Sequence, residues 1–178
     1  MDMSSAIVEV EADVVTKNGS NGAHKGMRKK AMSAPKALNE AYKYQRPSSF
    51  SRGMRLDIKG ITILMISGTA SVGENGETVH PGDFAAQTRR AYQNVTELLK
   101  SEGASWKDVV RTTCYLRDIE RDYEQFNLIR TEFFKQQGLA MLPASTGIQA
   151  ILCWPSLLFE MEAMAIFETP GATRTASE

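Results

Sequence analysis

Cysteine, histidine and tryptophan are scarce in this chain, with two of each in 178 residues. Cys114 and Cys153 cannot make a disulfide framework, and neither sits in a CxxC or CxxH pair. His24 and His80 are too far apart for a local metal site, and a single histidine in the folded part leaves no Ser-His-Asp set. Surplus charge is also missing: 21 Lys plus Arg balance 21 Asp plus Glu. Binding to a nucleic-acid backbone or an anionic membrane needs excess positive charge, so both partners are disfavoured. Apolar runs such as Ile63–Ile66 fall far short of a membrane span. The first residues carry Asp2, Glu9, Glu11 and Asp13 instead of a basic start and apolar middle, so no signal peptide is read. Gly73-Glu74-Asn75-Gly76 lacks the GK[ST] ending of a phosphate loop. These absences leave a cytoplasmic domain with no structural metal. What is present, 42% hydrophobic and 24% charged residues, suits one globular domain.

Residues 1–35 differ from the rest. Lys17 to Gly22 is polar and Gly-rich, Lys25 to Lys30 is basic, and no aromatic residue precedes Tyr42. Such a stretch buries too little to offset its ordering entropy, so a mobile arm is expected, with Ile7 to Glu11 as a stray strand at most. Residues 171–178 read as a frayed end. Between them, Met54–Ile58 and Ile61–Ser67 flank Lys59-Gly60 as a hairpin. Asp83 caps a helix with Phe84, Thr88, Ala91, Tyr92, Val95, Leu98 and Leu99 on one face, and Gly103 stops it. Val109–Leu116 is a β-branched strand. Asp118 caps a second helix with Ile119, Tyr123, Phe126, Ile129 and Phe133 inward. Thr146–Cys153 and Phe159–Phe167 complete a β-β-α-β-α-β-β order: an α+β domain, one mixed sheet with two helices on one face. In the last strand Phe159, Met161, Ala163, Ala165 and Phe167 point one way, and Glu160, Glu162, Met164 and Ile166 the other. Two helices cover one face only, so a second copy is expected on the other.

Chemistry is left to carboxylates, arginines and small residues at strand ends. Glu160 and Glu162 share a strand face roughly 7 Å apart. A glutamate on a mostly buried strand finds a partner or has its pKa raised, which makes Glu160 the catalytic candidate, while Glu162 reads as structural. Leu142-Pro143-Ala144-Ser145-Thr146-Gly147-Ile148 brings small residues to a strand start, where a ligand can approach the backbone or an ordinary turn can form. Arg52 and Arg117, at strand ends, are candidate carboxylate clamps or plain surface arginines. Both cysteines read as buried, inert thiols.

Ile66-Ser67-Gly68-Thr69, Pro81-Gly82-Asp83 with Gln87, Asn94, Tyr115-Leu116-Arg117-Asp118, Phe126-Asn127, Pro143-Ala144 and Phe159-Glu160-Met161-Glu162-Ala163 follow one another in an order that resembles the Rid family (RidA/YjgF, reactive intermediate deaminases). The resemblance covers about residues 46–168 and implies a Rid-like domain over 36–170. It also implies a chorismate-mutase-like fold and a homotrimer with clefts between subunits. Deaminating members hydrolyse imines and enamines without a cofactor. Carried over residue by residue, Glu160 matches the glutamate that positions water and Asn127 matches a cleft asparagine. Ser145 stands where those members have the arginine that holds the substrate carboxylate, and Phe50 stands where they have a tyrosine. Gly68, Thr69, Ser145, Thr146 and Gly147 become substrate contacts, Phe50 an apolar wall, and Arg52 or Arg117 the replacement clamp. A narrower likeness joins Ile66 to Ser71, Val79 to Asp83 and Ala144 to Ile148 to the C-terminal half of chorismatases, which hydrolyse an enol ether. The expected function is hydrolysis of an imine, enamine or chorismate-like enol ether on a small carboxylated or cyclic metabolite. The alternative is a trimer that binds such a molecule without turning it over. Ribonuclease activity, attached to an older family name, fits poorly with the balanced charge.

Overall fold

The computed structural model describes residues 26–44 and 47–171. The chain runs β1 (Met27–Ala31), β2 (Gly53–Ile58), β3 (Ile61–Ala70), α1 (Phe84–Ser101), β4 (Val109–Leu116), α2 (Ile119–Gln136), β5 (Ala144–Gln149) and β6 (Phe159–Glu168). The strands form one sheet in the order β1-β2-β3-β6-β4-β5. Only β4 and β5 run parallel. The α+β class is as read from the sequence, with one strand more.

That extra strand corrects the expected arm. Met27–Ala31 pairs antiparallel with β2, and Met32 and Leu38 just beyond it are fully buried. The segment Met27-Arg28-Lys29-Lys30-Ala31 gives no alternation because it packs little. Its hydrogen bonds to β2 and the anchors behind it hold it, and Lys30 adds an ion pair to Glu102 at 3.1 Å. The folded part thus begins before residue 36. Residues 1–25, including Ile7 to Glu11, and the end from 172 to 178 lie outside the described residues.

Local chemistry explains the other elements. Lys59 and Gly60 both adopt positive φ, 47° and 84°, as a two-residue hairpin turn requires. The Asp83 and Asp118 carboxylates each accept a backbone N–H in the first turn of α1 and α2, at 2.9 Å from Ala86 and 3.0 Å from Arg121. All seven residues assigned to the inner face of α1 are buried. The inner face of α2 is as expected except at Tyr123, which is exposed: Phe126 and Ile129 are buried and Ile119 and Phe133 pack against the core, joined by Asp122 and Phe134. Asp122 tolerates burial because Arg121 pairs with both its oxygens, at 2.7 and 2.6 Å. Strand β5 is shorter than read, ending at Gln149, and Ile151 beyond it is exposed.

The core lies between the helices and one sheet face, where Tyr92, Trp106, Phe133, Phe134 and Phe159 make a continuous ring cluster. Strand β6 follows its alternation. Phe159, Met161, Ala163 and Ala165 are buried, whereas Glu160, Glu162 and Met164 are half-buried and Ile166 is exposed. Its open face continues into β3 through the cross-strand pairs Met65–Met164 and Ile63–Ile166. Met65 is 48% exposed and Ile61 40%, so an apolar patch faces away from both helices. Among the described residues no helix is long and apolar enough to cross a membrane.

Candidate active site

The site grows from an irregularity in β3. Between Ile66 and Thr69 the register with β6 shifts, so Ser67 and Gly68 bulge out of the ladder. Thr69 turns into the core and donates its hydroxyl to the Ser67 carbonyl at 2.8 Å, which holds the bulge and keeps Thr69 away from any ligand. Asn94, buried on α1, donates to the carbonyls of Ala70 and Val72 at 3.0 and 3.1 Å and fixes the strand end. From the neighbouring strand Glu160, whose register partner is Ala70, lays its carboxylate back over Gly68: a Cβ there would stand 2.0 Å from Oε1. Only a glycine leaves this room.

Around the carboxylate lies a pocket of about 100 Å³ whose walls include Phe50, Arg52, Gly68, Cys153, Trp154 and Glu160. Arg52 is 3% exposed, its guanidinium set against the rings of Tyr44 and Phe50 at 4.8 and 5.6 Å. Nε and Nη2 both donate to the Asn39 carbonyl, at 3.0 and 2.6 Å. Burial lowers its pKa, with Glu40 opposing. Arg117 is placed differently from a clamp. It donates to the carbonyls of Leu157, Trp154 and Leu152 at 2.5, 2.7 and 3.4 Å, so it anchors the loop that carries Trp154. Gln87 holds the same loop from α1, donating to the Ser156 carbonyl and accepting from the Leu158 N–H. Cys153 is exposed on this loop, contrary to the sequence reading, because Trp154 and Leu157 turn inward instead; Cys114 is buried, its thiol pushed up to about 11, chiefly by burial.

Glu160 is half-buried, and no described side chain or backbone group hydrogen-bonds its carboxylate. Burial, and secondarily the charge of Glu162, raise its pKa. It can therefore hold a proton at higher pH than an exposed glutamate and is free to bond a substrate or water. No cluster of three or more metal-ligating side chains is present among the described residues.

The other candidates lie elsewhere. Glu160 pairs with Tyr115 on β4, which pairs with Ile148 on β5. Ser145 is three residues before Ile148, so its side chain points to the opposite sheet face, on the order of 14 Å away by strand spacing and rise. There it accepts from Thr112 Oγ1 at 3.0 Å and from Arg130 Nη1 at 3.2 Å. Arg130 also bonds Asn127 Oδ1 and lies over the Phe126 ring at 4.8 Å. Thr146, on the open face, accepts from Arg111 at 3.3 Å, and Gly147 pairs with Cys114. A single chain thus holds two separate clusters: the Glu160 pocket and a polar cluster at the β5 edge.

The profile of the endoribonuclease L-PSP family matches residues 45–167. The chain belongs to the Rid (YjgF) family. It is 35% identical over 107 residues to the 3-aminoacrylate deaminase RutC of Acinetobacter baylyi, covering 60% of this chain and 81% of that protein. A RutC family protein of Pyrococcus abyssi is 36% identical over 95 residues, 53% of this chain and 70% of that one. Among solved structures, the Escherichia coli YjgF gene product superposes with a TM-score of 0.61 at 25% identity, covering 77% of this chain and 98% of that one. Escherichia coli TdcF with bound serine gives 0.63 at 21% identity, covering 78% and 99%, a likeness of fold.

Within this Rid domain the sequence reading missed Arg130, although its place three residues after Asn127 puts both on one helix face. It also missed Tyr44 as a pocket wall, which only the packing of two distant loops reveals. The Gly68 contact gives a direct test. Gly68→Ala forces the Glu160 carboxylate off its seat, so any activity that depends on Glu160 falls by at least tenfold while the fold is retained. Steady-state rates with circular dichroism check this, and unchanged rates would show that the seat does not matter.

Proposed function

We propose that this Rid protein is a homotrimer that hydrolyses enamines and imines of small carboxylic acids in clefts between subunits. The observation that carries the reading is the free, half-buried Glu160 carboxyl seated over Gly68, facing a pocket with an aromatic wall and a buried arginine. The apolar open face supports assembly, since one chain leaves Met65, Ile61 and Ile166 to water. The separation of the two clusters supports a cleft built by two copies.

The chemistry needs one carboxyl group and one water. Neutral Glu160 gives its proton to the enamine carbon, and the nitrogen lone pair forms the C=N bond of an iminium. Water adds to the C=N carbon of the iminium while the Glu160 carboxylate takes one of its protons. The carbinolamine passes a proton to nitrogen, the C–N bond breaks, and C=O forms. The sum is enamine plus water to carbonyl plus ammonia, with Glu160 restored. An enol ether would begin with the same carbon protonation. The enamine is favoured because the 35% identical relative is named a 3-aminoacrylate deaminase.

The experiment is a stopped assay of ammonia release from short aminoenoates generated in situ, 3-aminoacrylate among them, with chorismate in parallel. The protein speeds release well above spontaneous hydrolysis. No acceleration with any aminoenoate would overturn the reading, and turnover of chorismate alone would replace it with the enol-ether reaction.

A further inference from the structure

The carboxylate of such a substrate needs a cation, and the candidate arginines can be told apart by how their donors are used. Arg117 is bonded to three carbonyls and Arg52 to one through two nitrogens. Arg111, in a hollow on the open sheet face, donates to Thr146 alone and has no ring to fix its plane among the described residues. Arg130 differs from all of them. It projects from α2 to the β5 edge, half-buried, with its plane fixed by the Phe126 ring and by bonds to Asn127 and Ser145. Among the described residues no carboxylate pairs with it. Two bonds use two of its five N–H groups, so three remain for a ligand. A guanidinium held flat, only partly hydrated and unpaired is suited to bidentate capture of a carboxylate.

We infer that Arg130 is the carboxylate-binding residue of this protein, a guanidinium supplied from helix α2 through Asn127 and Ser145, and that its ligands are small monocarboxylates. The assignment rests on the inter-subunit reading above, because Arg130 meets the Glu160 pocket only where a second copy brings the β5 edge to it. Ser145 then has a role of its own. Its hydroxyl is small enough to leave the space open and steers the guanidinium by one hydrogen bond. An arginine at position 145 would compete for the same volume.

The test is calorimetric binding of pyruvate and of neutral methyl pyruvate to the full-length protein, with thermal unfolding of every variant. Wild type prefers pyruvate. Arg130→Gln loses at least tenfold in pyruvate affinity with little change for methyl pyruvate, and Arg130→Lys, which keeps the charge but not the fork, falls between. The double variant Arg130→Gln/Ser145→Arg regains pyruvate binding, a rescue that a merely structural role would not give. Equal pyruvate affinity in wild type and Arg130→Gln, or no preference of wild type for pyruvate, overturns the assignment. Glu160→Gln separates it from the catalytic reading. Loss of hydrolysis in Glu160→Gln but unchanged kcat/KM in Arg130→Gln keeps the mechanism and rejects the clamp. Charge-dependent pyruvate binding without hydrolysis keeps the clamp and rejects the mechanism.

Discussion

Glu160→Gln lowers enamine hydrolysis by about 10²–10⁴-fold, the usual worth of a positioned acid–base group, while pyruvate binding and assembly persist. Glutamine matches the shape and still bonds a water, but it has no proton to give to carbon. The pH dependence carries the same signature. Burial first, and Glu162 second, raise the Glu160 pKa, and carbon protonation needs the neutral carboxyl. The rate therefore falls as pH rises through the folded-state pKa, above the range of an exposed glutamate. Glu162→Gln removes one of the two raising causes and moves that fall to lower pH. Stability falls with rising pH in the same sense as activity. A carboxyl whose folded pKa is raised holds its proton more tightly in the folded state, and this contribution is lost as pH rises from the unfolded value through the folded one. Above that window wild type keeps a desolvated charge that glutamine lacks, so Glu160→Gln unfolds at higher temperature than wild type at neutral pH. At acid pH the difference closes. Full activity in Glu160→Gln, or a falling limb in the ordinary carboxylate range, would remove Glu160 from the mechanism.

What could be read in advance follows from how local each signal was. The caps Asp83 and Asp118, the Lys59-Gly60 turn and the alternation of β6 are set by neighbours within a few residues, and all of them hold. Strand β1 was illegible because a basic edge strand earns its place from the partner's backbone and leaves no apolar pattern. On α2 only Tyr123 was misplaced, while burial of its neighbour Asp122 depends on the adjacent Arg121. Of the candidate site residues, Glu160, Gly68, Phe50 and Arg52 come together in one pocket. Arg117 fits the loop instead, because its reach to three carbonyls is a tertiary fact. Thr69 is a turn-holder for a similar reason: strand parity puts it inward once the bulge is counted. Ser145 and Asn127 gather in the cluster at the β5 edge, joined by an arginine that no motif pointed to.

In the proposed assembly the open face joins the two clusters, and Met65→Asp tests it with a second large effect. Met65 lies opposite Met164 and next to Ile63 and Ile166 in the exposed apolar patch. In a lone chain an aspartate there sits in water, so the substitution costs within about 0.5 kcal/mol, as at ordinary surface sites. In a closed trimer the same change buries one carboxylate per subunit, each costing several kcal/mol unless paired. The two environments therefore give opposite outcomes from one residue. Met65→Asp elutes at the mass of a monomer, keeps its circular dichroism spectrum, and loses hydrolysis because Glu160 and Arg130 no longer share a cleft. Met65→Leu, which keeps volume and polarity, remains assembled and active. A Met65→Asp protein that is still trimeric would place the interface on another face. One that is monomeric yet fully active would mean that each chain completes its own site, and the 14 Å gap between Glu160 and the Ser145 cluster would then have to be closed by some other element of the same chain.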